Sequence, residues 1–299
     1  MPIPESQLVT WSHQGAVASS SIAYNSIKTA LTSAKSKVSG ICFDAFLQGS
    51  YRNATNIYGD SDVDIVVKLD SVFGRDLSAL DNSQRRLEDA AYPVSNYQWW
   101  EFRRDILQTL EDYYDKPNVK PLKKCIQVKA GPGRITADVI PAIEFWKYSY
   151  FHSQTNESHI EGVKFFDSAG TSIVNFPRQH IANGEAKNAT CRTNGWYKGT
   201  VRMFKNARNK LINDGKIADG SAPSYCLECL AYNAPDACFG GSYGDTYCAV
   251  VNHLWRTPVN SYLSQNGIIP LIGTSPSQWD AGAAVTFLSC LRELWNNWT

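Results

Sequence analysis

The spacing of apolar residues divides the chain into a first part of mixed strands and helices and a second part that is mostly helical. Alternating or short continuous apolar runs predict strands at 42–47, 62–69, 123–130 and 134–140. Apolar residues at helical spacing predict helices at 18–34, 99–114, 197–213, 224–232, 246–257 and 281–298.

Two segments lack a clear period. Residues 1–15 are mixed and predict a partly extended chain. Residues 151–192 are rich in Asn, Ser, Gly and His and predict a long irregular segment. The whole pattern predicts an α+β fold with two lobes. A small mixed sheet backed by helices would form the lobe 1–145, and an α-helical bundle would form the lobe 146–299.

Composition limits the function classes. At 299 residues the chain is long enough for two packed lobes. The 29 Lys and Arg residues against 28 Asp and Glu leave a net charge of +1, so the basic excess typical of proteins that grip long nucleic acid is missing. No apolar stretch is long enough to span a bilayer, and no basic-then-apolar leader begins the chain. We therefore expect a cytoplasmic protein that needs neither a membrane nor long nucleic acid.

The eight cysteines admit two interpretations. Cys226 and Cys229 form a C-x-x-C pair, and Cys238 and Cys248 follow at wide spacing, so structural zinc stays open. The pair falls inside a predicted helix, however, and no second close Cys or His pair follows it. Reduced, buried thiols are the favoured interpretation.

The strand that begins at Asp62 carries the strongest candidate chemistry. Residues i and i+2 of a strand share a face, so Asp62 and Asp64 lie side by side while Val63 and Ile65 turn to the core. Adjacent carboxylates repel each other, and a hard divalent cation such as Mg²⁺ offsets their charge. About a dozen residues upstream, the Gly49–Ser50 turn offers backbone N–H groups and a hydroxyl to a phosphate.

A Gly-Ser turn followed by Asp-x-Asp at the start of an apolar strand closely resembles the signature of the polymerase-β-like nucleotidyltransferases. Members usually take a third carboxylate from a neighbouring strand. The resemblance implies Asp138, which a predicted hairpin places on the face opposite to Ala137 and Val139. It further implies two Mg²⁺ ions, with Mn²⁺ as a substitute, held by Asp62, Asp64 and Asp138 for phosphoryl transfer.

Within that superfamily the chain most resembles the cGAS/DncV-like nucleotidyltransferases of bacterial anti-phage signalling. The stretches that carry the resemblance are 48–53 with 62–64, 196–208 (WYKGTVRMFKNAR) and 223–230 (PSYCLECL). The resemblance implies that Lys205, Ser224 and Tyr225 reach the triphosphate and the base of a bound nucleotide. It also implies nucleotide contacts from Gln48, Gly49 and Ser50.

Physical chemistry gives these positions independent support. Lys198, Arg202 and Lys205 are spaced i, i+4 and i+7, so they share one helix face that could hold phosphates. The alternative is that this face is solvated and binds nothing. Ser224 stands at a predicted helix start, where free N–H groups favour an anion. Tyr225 could stack on a base or pack in the bundle.

Three further residues have an expected role near the site. Asn175, in the segment of weak periodicity, is a candidate to read a base edge. His180 is expected to be structural, because this chemistry needs no imidazole. Asp60 is expected to lie outside the metal ligands, because Ser61 separates it from the alternating pair.

The expected reaction is attack of a ribose hydroxyl on the α-phosphate of a second nucleoside triphosphate, with release of pyrophosphate. Repetition would close a cyclic di- or oligonucleotide second messenger. The resemblance implies a separate effector protein that the product activates, and it allows an activating partner protein. Two alternatives stay open. One is transfer of a nucleotide to an RNA end, a small molecule or a protein, and the other is a catalytically silent nucleotide-sensing module.

Overall fold

Seven strands form one mixed sheet in the computed structural model, which describes residues 1–15, 17–59, 62–93 and 95–298. In these residues the strands are β1 (Phe43–Gln48), β2 (Asp62–Asp76), β3 (Val119–Pro121), β4 (Ile126–Val128), β5 (Thr136–Ser153), β6 (Asn156–Phe166) and β7 (Ser172–Asn175). Their order is β1-β2-β5-β4-β3, with β6 paired to β5 and β7 paired to β6. Strands β2 and β5 are parallel, and the other pairs are antiparallel.

The sequence of β2 explains its central place in the sheet. Val63, Ile65 and Val67 are fully buried on one face. Val66, on the opposite face, is also buried and packs in a cluster with Val163 of β6. A continuous apolar run of this kind is typical of a strand that is covered on both faces.

The described part of the chain contains ten α-helices. They are α1 (Glu5–Ser12), α2 (Ala18–Thr32), α3 (Gly49–Asn53), α4 (Asn82–Ala91), α5 (Trp99–Tyr114), α6 (Pro177–Asn188), α7 (Trp196–Asn213), α8 (Ser224–Tyr232), α9 (Tyr243–Arg256) and α10 (Ala281–Asn296). None of the helices in these residues has the length and apolar character that crossing a bilayer requires.

Helix α5 shows why the periodic segments fold as predicted. At its start, Glu101 Oε2 accepts a hydrogen bond from the backbone N–H of Gln98 at 2.8 Å, which satisfies a donor that the helix leaves open. Phe102, Ile106 and Leu110 follow one another on a single face and are fully buried. The helix packs on α2 and on the sheet.

Contacts within the chain define two compact units. The sheet unit comprises Val17–Gln48 and Ser61–Pro177. The helical unit comprises Met1–Ala16, Gly49–Asp60 and Arg178–Thr299. The helical unit thus includes the N-terminal helix α1 and the segment 49–60. The predicted division into lobes 1–145 and 146–299 assigns both of these segments to the sheet lobe.

The core of the helical unit is built from α1, α7, α8, α9 and α10. Phe204, Tyr247 and Phe287 are among its largest fully buried side chains. Leu8 of α1 is also fully buried there, so the N-terminal residues belong to this core. The mixed sheet and the helical C-terminal part confirm the predicted α+β fold.

Two predicted segments were wrong. Residues 1–15, predicted to be mixed and partly extended, contain the helix α1 at Glu5–Ser12, because Leu8 and Trp11 pack into the core of the helical unit. Residues 151–192 are mostly regular, since they complete β5 and form β6, β7 and α6. Strand β2 also runs beyond the predicted end near 69, because its second half pairs with β5 across a register shift.

Candidate active site

The three candidate carboxylates lie where β2 and β5 run side by side. Asp62 and Asp64 begin β2, and the residues that alternate with them are fully buried on the other face. Asp64 pairs in register with Asp138 of the parallel strand β5, and Asp62 pairs with Thr136. Because residues paired across adjacent strands point to the same side of a sheet, the three carboxylates share one face.

Two glutamines extend the carboxylate row across four strands. Gln48 of β1 pairs with Asp64, and Gln127 of β4 pairs with Asp138. Gln127 Nε2 donates a hydrogen bond to Asp138 Oδ1 at 3.2 Å, which helps to fix the orientation of that carboxylate. Gln127 was not predicted from the sequence as a site residue, and the available signal was its place in the hairpin strand opposite Asp138.

The electrostatics of the row favour a bound cation. Burial raises the pKa of Asp138 above its ordinary value, and the charge of Asp62 raises it further. Hydrogen bonds from Gln127 and Cys125 oppose this effect without cancelling it. A positive ion at the row would offset the repulsion that raises the pKa.

The donor set of the row fits a hard divalent ion. Carboxylate oxygens are the ligands that Mg²⁺ prefers, and Asp64 and Asp138 supply them from paired positions. Within the described residues, no group of three or more His, Cys, Asp and Glu side chains is arranged to hold a metal ion by itself. Mg²⁺ is usually bound by one or two carboxylates together with substrate phosphates, so a complete protein cage is not required.

The Gly49–Ser50 pair begins the short helix α3 in the helical unit. Gly49 has a φ of 69°, which a residue without a Cβ adopts at little cost. The backbone N–H of Thr55 donates to the carbonyl of Ser50 at 2.9 Å and closes the segment on itself. Between them Ala54 has a φ of 55°, a conformation that is uncommon outside glycine and asparagine.

The predicted cationic stripe of α7 is engaged with protein groups. Lys198 Nζ lies 2.8 Å from Glu185 Oε1, and Arg52 of α3 lies 3.7 Å from the same oxygen. Arg202 Nη1 donates to the carbonyl of Ala54, and burial lowers the pKa of its guanidinium. The stripe is therefore not a fully solvated helix face.

The third cation of the stripe belongs to a buried network around Glu228, which is 3% exposed. Oε1 of Glu228 accepts hydrogen bonds from the Thr55 hydroxyl and from Lys205 Nζ, the latter at 3.2 Å. Oε2 accepts from Asn53 Nδ2 at 2.8 Å and lies 3.0 Å from His180 Nε2. Burial alone would raise the pKa of Glu228, but Lys205, His180 and Thr55 hold it well below its usual range.

The predicted nucleotide contacts of α8 stand at its first turn. Ser224 is the first residue of the helix, and its hydroxyl accepts a hydrogen bond from Arg208 Nη1 at 2.9 Å. The half-buried ring of Tyr225 stacks on His180, with centroids 5.2 Å apart and planes at 24°. The hydroxyl of Tyr225 accepts from Asn266 Nδ2 at 3.3 Å.

His180 is 6% exposed and is held by Glu228 and Tyr225. Burial alone would lower the pKa of His180, but Cys229 and Glu228 raise it to about 9. These contacts agree with the expected structural role. Glu228 was not predicted from the sequence, although it lies inside the third of the stretches that carry the family resemblance.

Asn175 and Asp60 are the remaining residues for which the sequence predicted a role. Asn175 ends β7 in the sheet unit and pairs with Val163 of β6, where it is half-buried. Its base-reading role stays a prediction. Asp60, expected to be outside the metal ligands, lies outside the described residues.

All eight cysteines lie in the described part of the chain and are free thiols. Cys226 and Cys229 are buried in α8, whereas Cys238 and Cys248 are partly buried. Burial raises the pKa of Cys226 to about 12, so its thiol stays protonated. Zinc binds cysteine as the thiolate, so a protonated Cys226 thiol is not in the form that zinc prefers.

A mixed sheet with aspartates at the start of a strand, followed by a helical C-terminal part, is the arrangement expected of the nucleotidyltransferase class. Residues 182–296 match the cGAS/DncV-like nucleotidyltransferase C-terminal helical domain. The chain is 43% identical over 299 residues to the cyclic UMP-AMP synthase of Rhodothermus marinus, covering 100% of this chain and 99% of that protein. It is 35% identical to the cyclic nucleotide synthase CdnE01 of Staphylococcus haemolyticus, covering 100% of both. The chain therefore belongs to the cGAS/DncV-like nucleotidyltransferases.

Solved structures agree with this assignment. The Rhodothermus marinus CdnE c-UMP-AMP synthase with Apcpp and Upnpp matches with a TM-score of 0.88, covering 99% of this chain and 98% of that one. The Elizabethkingia meningoseptica CdnE cyclic dinucleotide synthase matches with a TM-score of 0.77 at 33% identity, covering 98% of each chain. The protein is an enzyme of the cyclic nucleotide synthase class.

Proposed function

We propose that the protein joins two ribonucleoside triphosphates into a cyclic dinucleotide and releases pyrophosphate at each step. A ribose hydroxyl oxygen of one nucleotide forms a bond to the α-phosphorus of the other, and the bond from that phosphorus to the pyrophosphate leaving group breaks. A second transfer closes the ring. The observation that carries the proposal is the full-length similarity to a cyclic dinucleotide synthase, together with the in-register pair Asp64 and Asp138.

We assign the metal ligands to Asp62, Asp64 and Asp138, because the three carboxylates share a face and the charge of Asp62 adds to the raised pKa of Asp138. Two Mg²⁺ ions, or Mn²⁺ in their place, would lower the pKa of the attacking hydroxyl and neutralise the phosphates. Gln127 would hold Asp138 in the orientation that a ligand needs. These assignments make the carboxylate row the reacting part of the enzyme.

The residues proposed to take part in nucleotide binding, directly or through a neighbouring side chain, are Gln48, Gly49, Ser50, Lys198, Arg202, Lys205, Ser224, Tyr225 and Asn175. The burial of Lys205 and its ion pair with Glu228 favour an indirect role for this lysine. Tyr225 has one neighbour ring in His180, and its half-buried position supports stacking on a base. Ser50 is the proposed contact for the triphosphate.

The similarity to a cyclic UMP-AMP synthase supports UTP and ATP as the first substrate pair to test. The family resemblance supports a role in anti-phage signalling, in which the product activates a separate effector protein. Reduced thiols fit a reducing compartment, and we propose that the enzyme works in the cytoplasm.

The test of the substrates uses one radiolabelled nucleotide at a time. The enzyme is incubated with Mg²⁺ and α-labelled UTP plus unlabelled ATP, or with the labels exchanged, and the product is treated with phosphatase. A product that requires both nucleotides and keeps its label against phosphatase in both labelling arms supports the cyclic UMP–AMP assignment, because a linear dinucleotide keeps only the label of its internal phosphodiester. A resistant product from a single nucleotide would replace that assignment with a homodinucleotide, and complete loss of label to phosphatase would contradict ring closure.

A further inference from the structure

The segment that follows Gly49–Ser50 is held by two neighbouring helices of the helical unit. Arg202 of α7 donates to the carbonyl of Ala54. Glu228 of α8 accepts from the side chains of Asn53 and Thr55. The positive φ of Ala54 therefore lies between two anchored neighbours.

Thr55 connects the buried network directly to Ser50. Its hydroxyl donates to Glu228 Oε1, and its backbone N–H donates to the Ser50 carbonyl at 2.9 Å. Thr55 is 2% exposed, so water does not offer its hydroxyl a ready alternative partner. A displacement of Thr55 therefore moves the backbone of Ser50 with it.

The same carboxylate also supports the proposed base-stacking residue. Oε2 of Glu228 lies 3.0 Å from His180 Nε2, and the His180 ring stacks on Tyr225. Glu228 lies three residues after Tyr225 on α8, so both side chains project from the same side of the helix. One buried carboxylate thus orders two elements that are proposed to touch the nucleotide.

We propose that Glu228 is a positioning residue, which holds the Gly49–Ser50 turn through Asn53 and Thr55 and the ring of Tyr225 through His180. Lys205 acts within this network as a neutralising cation beside His180, because a buried carboxylate needs charge partners. The inference rests on the proposed role of Gly49–Ser50 and Tyr225 in nucleotide binding. It explains why α7 carries buried cations that face protein groups.

The sharpest perturbation removes one hydroxyl. Thr55→Val keeps the shape of the side chain and deletes the donor to Glu228, whereas Thr55→Ser keeps the donor. Thr246→Val is the matched control in the same unit, since Thr246 is also fully buried and its hydroxyl donates to the carbonyl of Gly240 at 3.0 Å. Each variant is compared with the natural protein by melting temperature and by calorimetric titration with α,β-methylene-ATP and Mg²⁺.

We expect Thr55→Val to weaken binding of the analogue by about tenfold or more, because small displacements of a binding group are costly. Thr246→Val should bind within about twofold of the natural protein although it loses comparable stability, and Thr55→Ser should restore binding. Equal affinities for Thr55→Val and Thr246→Val would overturn the proposal.

Asn53→Ala gives a second test if Thr55→Val does not fold, because it deletes the other donor from the segment and leaves Thr55 in place. Weaker binding of the analogue supports the positioning role, and unchanged binding overturns it. Both tests measure nucleotide affinity without turnover. Failure of the natural protein to make a cyclic product would instead contradict the proposed function, so the two failures are distinguishable.

Discussion

The ion pair of His180 and Glu228 predicts a specific dependence of stability on pH. The pKa of His180 is raised from 6.5 to about 9 in the folded protein. A histidine whose pKa is higher in the folded than in the unfolded protein makes its full contribution to stability when the pH is below the unfolded pKa. That contribution is lost as the pH rises through the folded value. The relevant window therefore runs from about pH 6.5 to pH 9.

The size of the effect follows from the shift. One pKa unit corresponds to about 1.4 kcal/mol, so a rise from 6.5 to about 9 is worth about 3 kcal/mol of unfolding free energy. The ring is 6% exposed, so solvent screens this interaction little. Most of the contribution should disappear between pH 6 and pH 9.

The assay is urea unfolding at pH 6 and at pH 9, for the natural protein and for His180→Gln. Glutamine can still donate a hydrogen bond to Glu228 but does not titrate. Between pH 6 and pH 9, the unfolding free energy of His180→Gln should therefore fall by about 3 kcal/mol less than that of the natural protein. His253→Gln serves as the control, because the His253 ring of α9 lies 3.4 Å from the Thr257 hydroxyl, a group that carries no charge. Identical pH slopes for His180→Gln and the natural protein would refute the reasoning.

Three other perturbations have defined outcomes. Asp64→Asn should lower product formation by roughly 10²-fold or more while the melting temperature does not fall, since it removes one of the two carboxylates that are paired across β2 and β5. The control variant Asp44→Asn, at an exposed position of β1, should retain activity. Equal losses of activity in the two variants would contradict the assignment. Gly162→Ala should cost about 1–3 kcal/mol of unfolding free energy, because its Cβ would lie 2.6 Å from the Asn175 carbonyl. Gly131→Ala is its control, since the nearest atom at 3.1 Å is the end of an arginine side chain; a denaturant series that ranks the two equally would be contrary evidence. Metal chelators should leave the melting temperature of the nucleotide-free protein unchanged, because burial keeps the Cys226 thiol of the C-x-x-C pair protonated, and a fall of several degrees would reveal a structural metal.

The strongly periodic elements could be predicted from the sequence. Helix α5 (Trp99–Tyr114) and helix α8 (Ser224–Tyr232) have the predicted bounds, because their apolar residues mark one face and their ends carry recognisable signals. Alternation also placed Asp62 and Asp64 on the face opposite to the buried Val63, and Asp138 on the face opposite to the buried Val139. Local patterns were sufficient for these features.

The segment 151–192 could not be predicted in this way. Strand β6 begins with the polar run Asn156–His159, which has no apolar alternation and is ordered by pairing with β5. Helix α6 turns polar side chains such as His180 and Lys187 inward, so it lacks an apolar stripe. Tertiary contacts override local propensity in both elements.

The environment of the α7 cations was also hidden from the sequence. Spacing shows that Arg202 and Lys205 share a helix face, but it does not show what covers that face. Glu228 meets Asn53, which precedes it by 175 positions, and such a pairing leaves no local pattern. The sequence therefore identified the charged positions but not the buried network that they form.

The central claim is that this chain makes a phosphatase-resistant cyclic nucleotide at the carboxylate row. The most direct test incubates the protein with all four ribonucleoside triphosphates and Mg²⁺ or Mn²⁺, treats the mixture with phosphatase and identifies the products by mass spectrometry. The account predicts a cyclic dinucleotide mass that is absent with the Asp62→Ala/Asp64→Ala variant. Linear or acceptor-linked nucleotide alone, or a cyclic product that persists in the variant, would contradict it.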